Sequence, residues 1–288
     1  MTILRRLISG GQPNETEVIR LTPESAARLR LPFVARLTTE HLVRQAEIYP
    51  DLAFTVRDTS HYAFGGLWRR RDDIGEIVEI SRGPSRRALL QRLLGAFEER
   101  GVRLVVLDFE ESASGSGFYA DEGFSTIDRI VEYNRRGGEI HRPEHVAPVR
   151  RYRPDDFDAI LEIDRESFPW LWWNSPAELD FYSAMPDVEI FVSLDGDRPV
   201  GYAGLTVRGA FAHLDRLAVR ETYQRHGHGG TLLTPVLEYL AGRGIQRVSL
   251  STQEDNYRSQ SLYERYNFSR GRWTYEIRGL WLREPPAS

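Results

Sequence analysis

Apolar and polar positions follow two rhythms along this chain, and the order of the rhythms occurs twice. Residues 89–108, LLQRLLGAFEERGVRLVVLD, place apolar side chains at helical spacing, stop at Arg-Gly and then turn into a β-rich run. Residues 232–251, LLTPVLEYLAGRGIQRVSLS, repeat that order without a gap. Farther on, FYADEGF (118–124) matches LYERYNF (262–268), with Gly or Asn where a left-handed helix cap is required. Each copy continues into an alternating segment, IDRIVEY (127–133) and RWTYEIR (272–278), which predicts a strand. The chain therefore reads as a tandem duplication.

Between the copies, NRRGGEIHRPEHVAP (134–148) has neither periodicity and is rich in Gly, Pro and charge, so it marks a boundary. Domains of 1–147 and 148–288 are expected. Upstream, AFTV, HYAFGGLWRR and GEIVEIS predict neighbouring strands; downstream, EIFVSLDGDRPVGYAGLTV predicts two strands around an Asp-Gly-Asp turn, followed by HLDRLAV. Each half is then mixed α/β, with about seven strands by pattern alone. Pro235 falls inside the predicted helix of the second copy and costs it a hydrogen bond unless it lies near the first turn.

Composition narrows the chemistry. With 288 residues, 41% hydrophobic and 28% charged, the chain can bury two cores. No apolar stretch is long enough to cross a bilayer, and the apolar part of MTILRRLISGGQP is too short for a secretory signal, so a cytoplasmic protein with no membrane association is expected. Cysteine is absent, which removes disulfides, thiolate ligands and a cysteine nucleophile. All 38 basic residues are arginine, so no lysine can act as a base or form a Schiff base. The net charge of -4 argues against nucleic acid as a partner, and the cluster Arg69–Arg71 reads as a solvated face.

QRHGHGG, residues 224–230, lies between a strand-like and a helix-like run. A strand that feeds a glycine-rich turn at a helix start directs several unpaired N–H groups and the positive end of the helix dipole at one point, which suits a phosphate. Gly227 and Gly229 would let the backbone come close to a pyrophosphate, and Gly230 would ease the start of the helix. The sequence has no Gly-Lys-Ser/Thr triphosphate loop and no G-x-S-x-G elbow. His226 and His228 are spaced to chelate a metal, but no third ligand is evident nearby, so no metal is assigned.

Gln224-x-x-Gly227-x-Gly229 resembles the Q/R-x-x-G-x-G/A acetyl-CoA signature of the GNAT superfamily of N-acetyltransferases. Leu217-Ala218-Val219 resembles that family's strand before the loop, and Asn256-x-x-Ser259-x-x-Leu262-Tyr263 its downstream N-x-x-A/S-x-x-L-Y segment. The resemblance covers roughly residues 149–282 with good motifs and the first half in outline only. In the first copy the corresponding loop is RGPSRR, shorter and with one glycine, so a tandem of one working and one degenerate GNAT domain is implied. Tyr119 would then be a relic of Tyr263, packed within its own copy.

The resemblance implies an acetyl-CoA-dependent N-acetyltransferase acting on a small amine or a protein amino group by direct attack. Acetyl-CoA would lie along Leu217, Ala218 and Val219, on Gln224, Arg225, His226, Gly227, His228, Gly229 and Gly230, and beside Asn256 and Ser259. Arg225 could supply the charge that Gln224 lacks. Tyr263 takes the family's general-acid position. Asp215 is the first choice of general base, because alternate residues of its strand would face the cleft, with Glu254 and Asp255 as rivals. The aromatic segment ESFPWLWWNSPAELDFY (166–182) would either line an acceptor pocket through Phe168, Trp170, Trp172 and Trp173 or fill the contact between the halves. A catalytically silent GNAT-fold module that binds CoA esters as a sensor stays open beside the enzyme. The oligomeric state is undetermined by the sequence.

Overall fold

The computed structural model describes residues 17–31, 35, 37–107, 117–144 and 147–285. The N-terminal segment weighed above as a signal lies outside them. In chain order the elements are β1 (Val18–Arg20), α1 (Pro23–Ala26), α2 (Thr39–Ile48), β2 (Ala53–Val56), β3 (Tyr62–Leu67), β4 (Ile74–Ile80), α3 (Arg86–Glu99), β5 (Leu104–Leu107), α4 (Phe118–Asp121) and β6 (Ser125–Arg136). They continue with β7 (Val149–Arg151), α5 (Phe157–Ser167), α6 (Pro176–Ser183), β8 (Val188–Asp195), β9 (Arg198–Arg208), β10 (Phe211–Val219), α7 (His228–Gly242), β11 (Arg247–Gln253), α8 (Tyr257–Arg265) and β12 (Ser269–Trp281).

Both copies of the predicted helix–turn–strand unit are present, as α3–β5 and α7–β11. The residues expected to close the short helices, Gly123 and Asn267, both have left-handed backbones, with φ of 92° and 62°. Helix α7 runs through Pro235 without ending. Six strands, not seven, fall on each side of residue 147 among the described residues, because long alternating runs such as β12 form one strand each.

The chain forms two compact units that interleave in sequence. One comprises Met1–Leu67, Asp72–Leu107 and Trp281–Ser288; the other comprises Trp68–Arg71 and Asp108–Leu280. A single cut at residue 147 does not describe this division. Strand β6 precedes that position yet is hydrogen-bonded to β11 on one side and β12 on the other, in the second unit. An alternating strand has ladder groups on both edges to satisfy, and nothing in its own sequence says which partners will satisfy them.

In the first unit the strand order is β1-β2-β3-β4-β5, antiparallel except for β4 beside β5. Leu89, Leu90, Leu93 and Phe97 of α3 are buried, and Phe97 lies so close to Gly75 that a Cβ there would meet its ring at 2.6 Å. In the second unit the order is β12-β6-β11-β10-β9-β8-β7, with β10 and β11 the parallel pair. One face packs on α7 and α8 through Leu232, Leu233, Val236, Leu237 and Tyr263; the other packs on α5 and α6 through Ile160, Ile163 and Leu179.

Strand β10 changes faces midway. Ala212 and Leu214 belong to the α7 side, whereas Ala218, of the same parity, belongs to the α5 side. A register shift against β9 between Leu214 and Arg216 explains the change, since one extra residue inverts every later side chain. The residue at the bulge is Asp215.

Candidate active site

Strands β10 and β11 pair only from Phe211–Leu214 against Arg247–Leu250, so past Leu214 the strand β10 has no ladder partner on that edge. The opening forms a cleft of about 1390 Å³ that lies wholly within the second unit. Leu217 and Val219 line it, while Ala218 turns its side chain away and is 2% exposed. Arg220 N bonds to Val200 O on β9, so strand alternation directs the main-chain groups of Val219 and Leu217 toward the open edge. The Val219 carbonyl is already used there, accepting from Ser167 Oγ at 3.0 Å and Gln224 Nε2 at 2.9 Å.

The glycine loop forms part of the cleft wall. Gln224, Arg225, His226, Gly227, Gly229 and Gly230 all line it. Arg225 and Gly227 have left-handed backbones, with φ of 67° and 88°, and Gly227 caps α7. The first ladder bond of the helix runs from Thr231 N to Gly227 O, so the amides ahead of it lie outside the helical ladder. A Cβ on Gly229 would come within 3.0 Å of Leu262. Gln224 serves as a brace, donating to Val219 O and accepting from Arg258 on α8.

His228 behaves differently from its neighbour in the motif. It is the first residue of α7, is 5% exposed, meets the Tyr223 ring edge-on and does not line the cleft. The two histidines therefore diverge, one toward the cleft and one toward the core. Sequence spacing put them together; the start of the helix rotates the second inward.

Tyr263 lies on α8, 6% exposed, between the rings of Tyr133 and Phe268, and lines the cleft. Burial pushes its phenol up to about 12, against a smaller opposing effect of Ser259. It stays a proton donor at neutral pH. Asn256, which also lines the cleft, caps α8 by accepting from Ser259 N at 3.2 Å, so its side chain holds the helix that carries Tyr263.

Asp215 faces α6 and β9. Its Oδ2 accepts from Tyr182 Oη at 2.7 Å and from Thr206 Oγ1 at 2.8 Å. Gly204 makes room for this, because a Cβ there would lie 2.6 Å from the Tyr182 hydroxyl. Burial raises the Asp215 carboxyl above the ordinary aspartate range, against the lowering effect of these two hydrogen bonds and of His213. The rivals have other positions: Glu254 pairs with Arg270 at 2.8 Å, and neither it nor the exposed Asp255 lines the cleft.

Several cleft residues escaped the sequence reading. Arg216, 6% exposed, pairs with Asp164 on α5 and donates to Trp172 O at 3.0 Å. Tyr202 donates to the same carboxylate, and Asn174 N bonds to its Oδ1 at 2.8 Å. Trp68 and Arg69 come from the 3-10 turn Trp68–Arg70. The Trp68 Nε1 donates to Leu171 O at 2.8 Å, and its ring meets Trp172 edge-on at 5.5 Å.

Arg69–Arg71 are thus no solvated face. Arg71 is 8% exposed with its guanidinium over Trp170, Arg70 lies 3.9 Å above the Phe181 ring, and Arg69 lies over Trp172. The aromatic segment offers the ring faces that desolvate these cations favourably. Of that segment, Phe168 and Trp172 line the cleft, whereas Trp170 and Trp173 hold Arg71.

The second unit thus carries a mixed sheet opened between two parallel strands, with a glycine loop at a helix start and a buried phenol lining the same cleft. Residues 157–268 match the family model described as Acetyltransferase (GNAT) family. Over those residues the chain is similar to the GNAT acetyltransferase family. A mycothiol acetyltransferase from Acidimicrobium ferrooxidans is 27% identical over 208 residues, covering 68% of this chain and 64% of that protein. Among solved structures, a GCN5-related N-acetyltransferase from Sphaerobacter thermophilus aligns with a TM-score of 0.65 at 18% identity, over 95% of this chain and 98% of its own. A tandem GNAT protein from the clavulanic acid biosynthesis pathway aligns with a TM-score of 0.59 at 12% identity, over 94% and 99%. The fold is mixed α/β and is shared with GNAT-fold structures, a tandem GNAT protein among them. Among the described residues, no helix is long and apolar enough to cross a membrane.

Proposed function

We propose that this protein is an N-acetyltransferase that takes its acetyl group from acetyl-CoA and passes it directly to a primary amine. The observation that carries the proposal is the shared cleft, which has the Gln224–Gly230 loop and the buried hydroxyl of Tyr263 in its wall. In this reading the loop amides and the α7 dipole hold the pyrophosphate, and the open edge of β10 holds the pantetheine arm. Asp215, its Oδ2 fixed by Tyr182 and Thr206, takes a proton from the acceptor ammonium through water. The amine nitrogen then bonds to the acetyl carbon and gives up its second proton to water, the carbon–sulfur bond breaks, and the departing sulfur takes the Tyr263 proton. Tyr263 regains its proton from solvent.

Release of free thiol from acetyl-CoA tests the reading, with a panel of small amines and N-terminal peptides as acceptors. Thiol release that depends on an acceptor supports it. Tight acetyl-CoA binding without thiol release from any acceptor would place the protein with the silent CoA-ester-binding modules instead.

A further inference from the structure

The cleft holds a cation that makes no direct ion pair among the described residues. Arg216 is paired with Asp164, and Glu178 is paired with Arg70 at 3.3 Å. Arg69 lines the same cleft and meets no carboxylate among the described residues. Its Nη1 donates to Asn174 Oδ1 at 2.8 Å, and its guanidinium lies 5.2 Å from the centre of the Trp172 ring and 5.7 Å from that of Trp68. Its Nε is buried and has no hydrogen-bond partner. A buried N–H and a buried positive charge are both costly to leave unsatisfied.

The backbone that presents this side chain is itself unusual. Arg69 and Arg70 are consecutive non-glycine residues with φ of 50° and 51°, a region such residues seldom adopt. The Arg69 carbonyl is held there by Ser175 Oγ at 2.9 Å. Strain of this kind persists only where surrounding contacts enforce it, and it concentrates at ligand-binding positions. Burial, and then the nearby Arg216 charge, pull the Arg69 guanidinium down to about 10, against the smaller opposing effects of Glu178 and Asp164.

We infer that the acceptor is an amine that also carries a carboxylate, an amino-acid-class substrate whose carboxylate pairs with Arg69 while its amine lies toward Asp215. Guanidinium suits a carboxylate better than any other basic side chain, since its planar N–H groups can bond both oxygens. Phe168, Trp172 and Tyr182 form the apolar remainder of this part of the cleft. The inference rests on the acetyltransferase reading and narrows it to one substrate class.

The test is calorimetric binding to the CoA-loaded full-length protein. The probes are L-phenylalanine, L-leucine, β-alanine, γ-aminobutyrate and glycylglycine, each beside its carboxamide. At least one carboxylate should bind about thirtyfold or more tighter than its amide. In Arg69→Gln that preference should collapse to near unity, and in Arg69→Lys it should be retained in part. Acetyl-CoA affinity, unchanged in both variants, reports that the fold is intact; if Arg69→Gln does not fold, the acid–amide comparison in wild type and in Arg69→Lys decides. Amides that bind as well as acids, a preference that survives Arg69→Gln, or no binding of any carboxylate probe would overturn the inference. Failure of the acetyltransferase reading would show separately, as absent acetyl-CoA binding or absent thiol release from every amine.

Discussion

The loop that leads into α7 and the loop that leads into α3 occupy matching places in the two copies, yet only the first has the glycine-rich form proposed above as an anion cradle. At Gln224–Gly230 three glycines and a left-handed Arg225 bring the backbone to the edge of a cleft, with Gln224 bracing the turn to β10 and α8. At Arg82–Ser85 a single glycine remains, and its space is taken: a Cβ on Gly83 would meet the His61 ring at 2.7 Å, and His61 Nδ1 lies 3.1 Å from Ser85 Oγ. The tyrosines diverge in parallel. Tyr263 sits on a helix of nine residues and faces the cleft, whereas Tyr119 sits on one of four and is enclosed by Phe118 and Phe124. One order of elements thus supports either a site or a filled core, and the outcome depends on a few backbone positions.

The contrast is broken most completely by placing side chains in the cradle. Gly227→Glu with Gly229→Glu should abolish the rise in melting temperature with acetyl-CoA, because a left-handed φ is lost at one position and carboxylates meet the phosphates at both. Next in size, Asp215→Asn should lower kcat about a hundredfold. The sign of its pH dependence follows from the raised carboxyl: the base works ionised, so wild-type kcat falls as pH drops through a value above the ordinary 3.8, and the variant loses that limb.

Tyr263→Phe should lower kcat by about tenfold to a hundredfold with little change in KM, measured by thiol release. With its phenol at about 12, the wild type should show no alkaline loss from this residue below about pH 11. Asn256→Ala should cost about 1 kcal/mol of stability in denaturant unfolding through loss of the α8 cap. Least of all, Ser85→Ala in the first copy should leave acetyl-CoA affinity unchanged, since it disturbs only the contact with His61.

The second copy was the more legible because the features of its cleft are carried by backbone, and backbone demands are written as glycines and caps. Gly227 and Gly229 were named from the loop pattern, Asn256 and Tyr263 from the family resemblance, and all four line the same cleft. Asp215 was chosen by strand alternation, but alternation fails past it: the bulge at Asp215 inverts parity, so that both Asp215 and Arg216 turn toward the α5–α6 face. No residue type announces a bulge of this kind. Trp68 and Arg69 were beyond reach for another reason, since Trp68 meets Leu171 across 103 positions and the arginine run has the composition of a surface. His228 was misplaced because the pattern of the loop does not tell where the helix begins, and beginning one residue after Gly227 buries it.

The central claim is that each chain holds one working acetyl-CoA site and that it is the cradle at α7. Calorimetric titration of the purified protein with acetyl-CoA tests it most directly. The account predicts one equivalent bound per chain, and none in the Gly227→Glu, Gly229→Glu variant. Two equivalents, or binding undiminished in that variant, would contradict it.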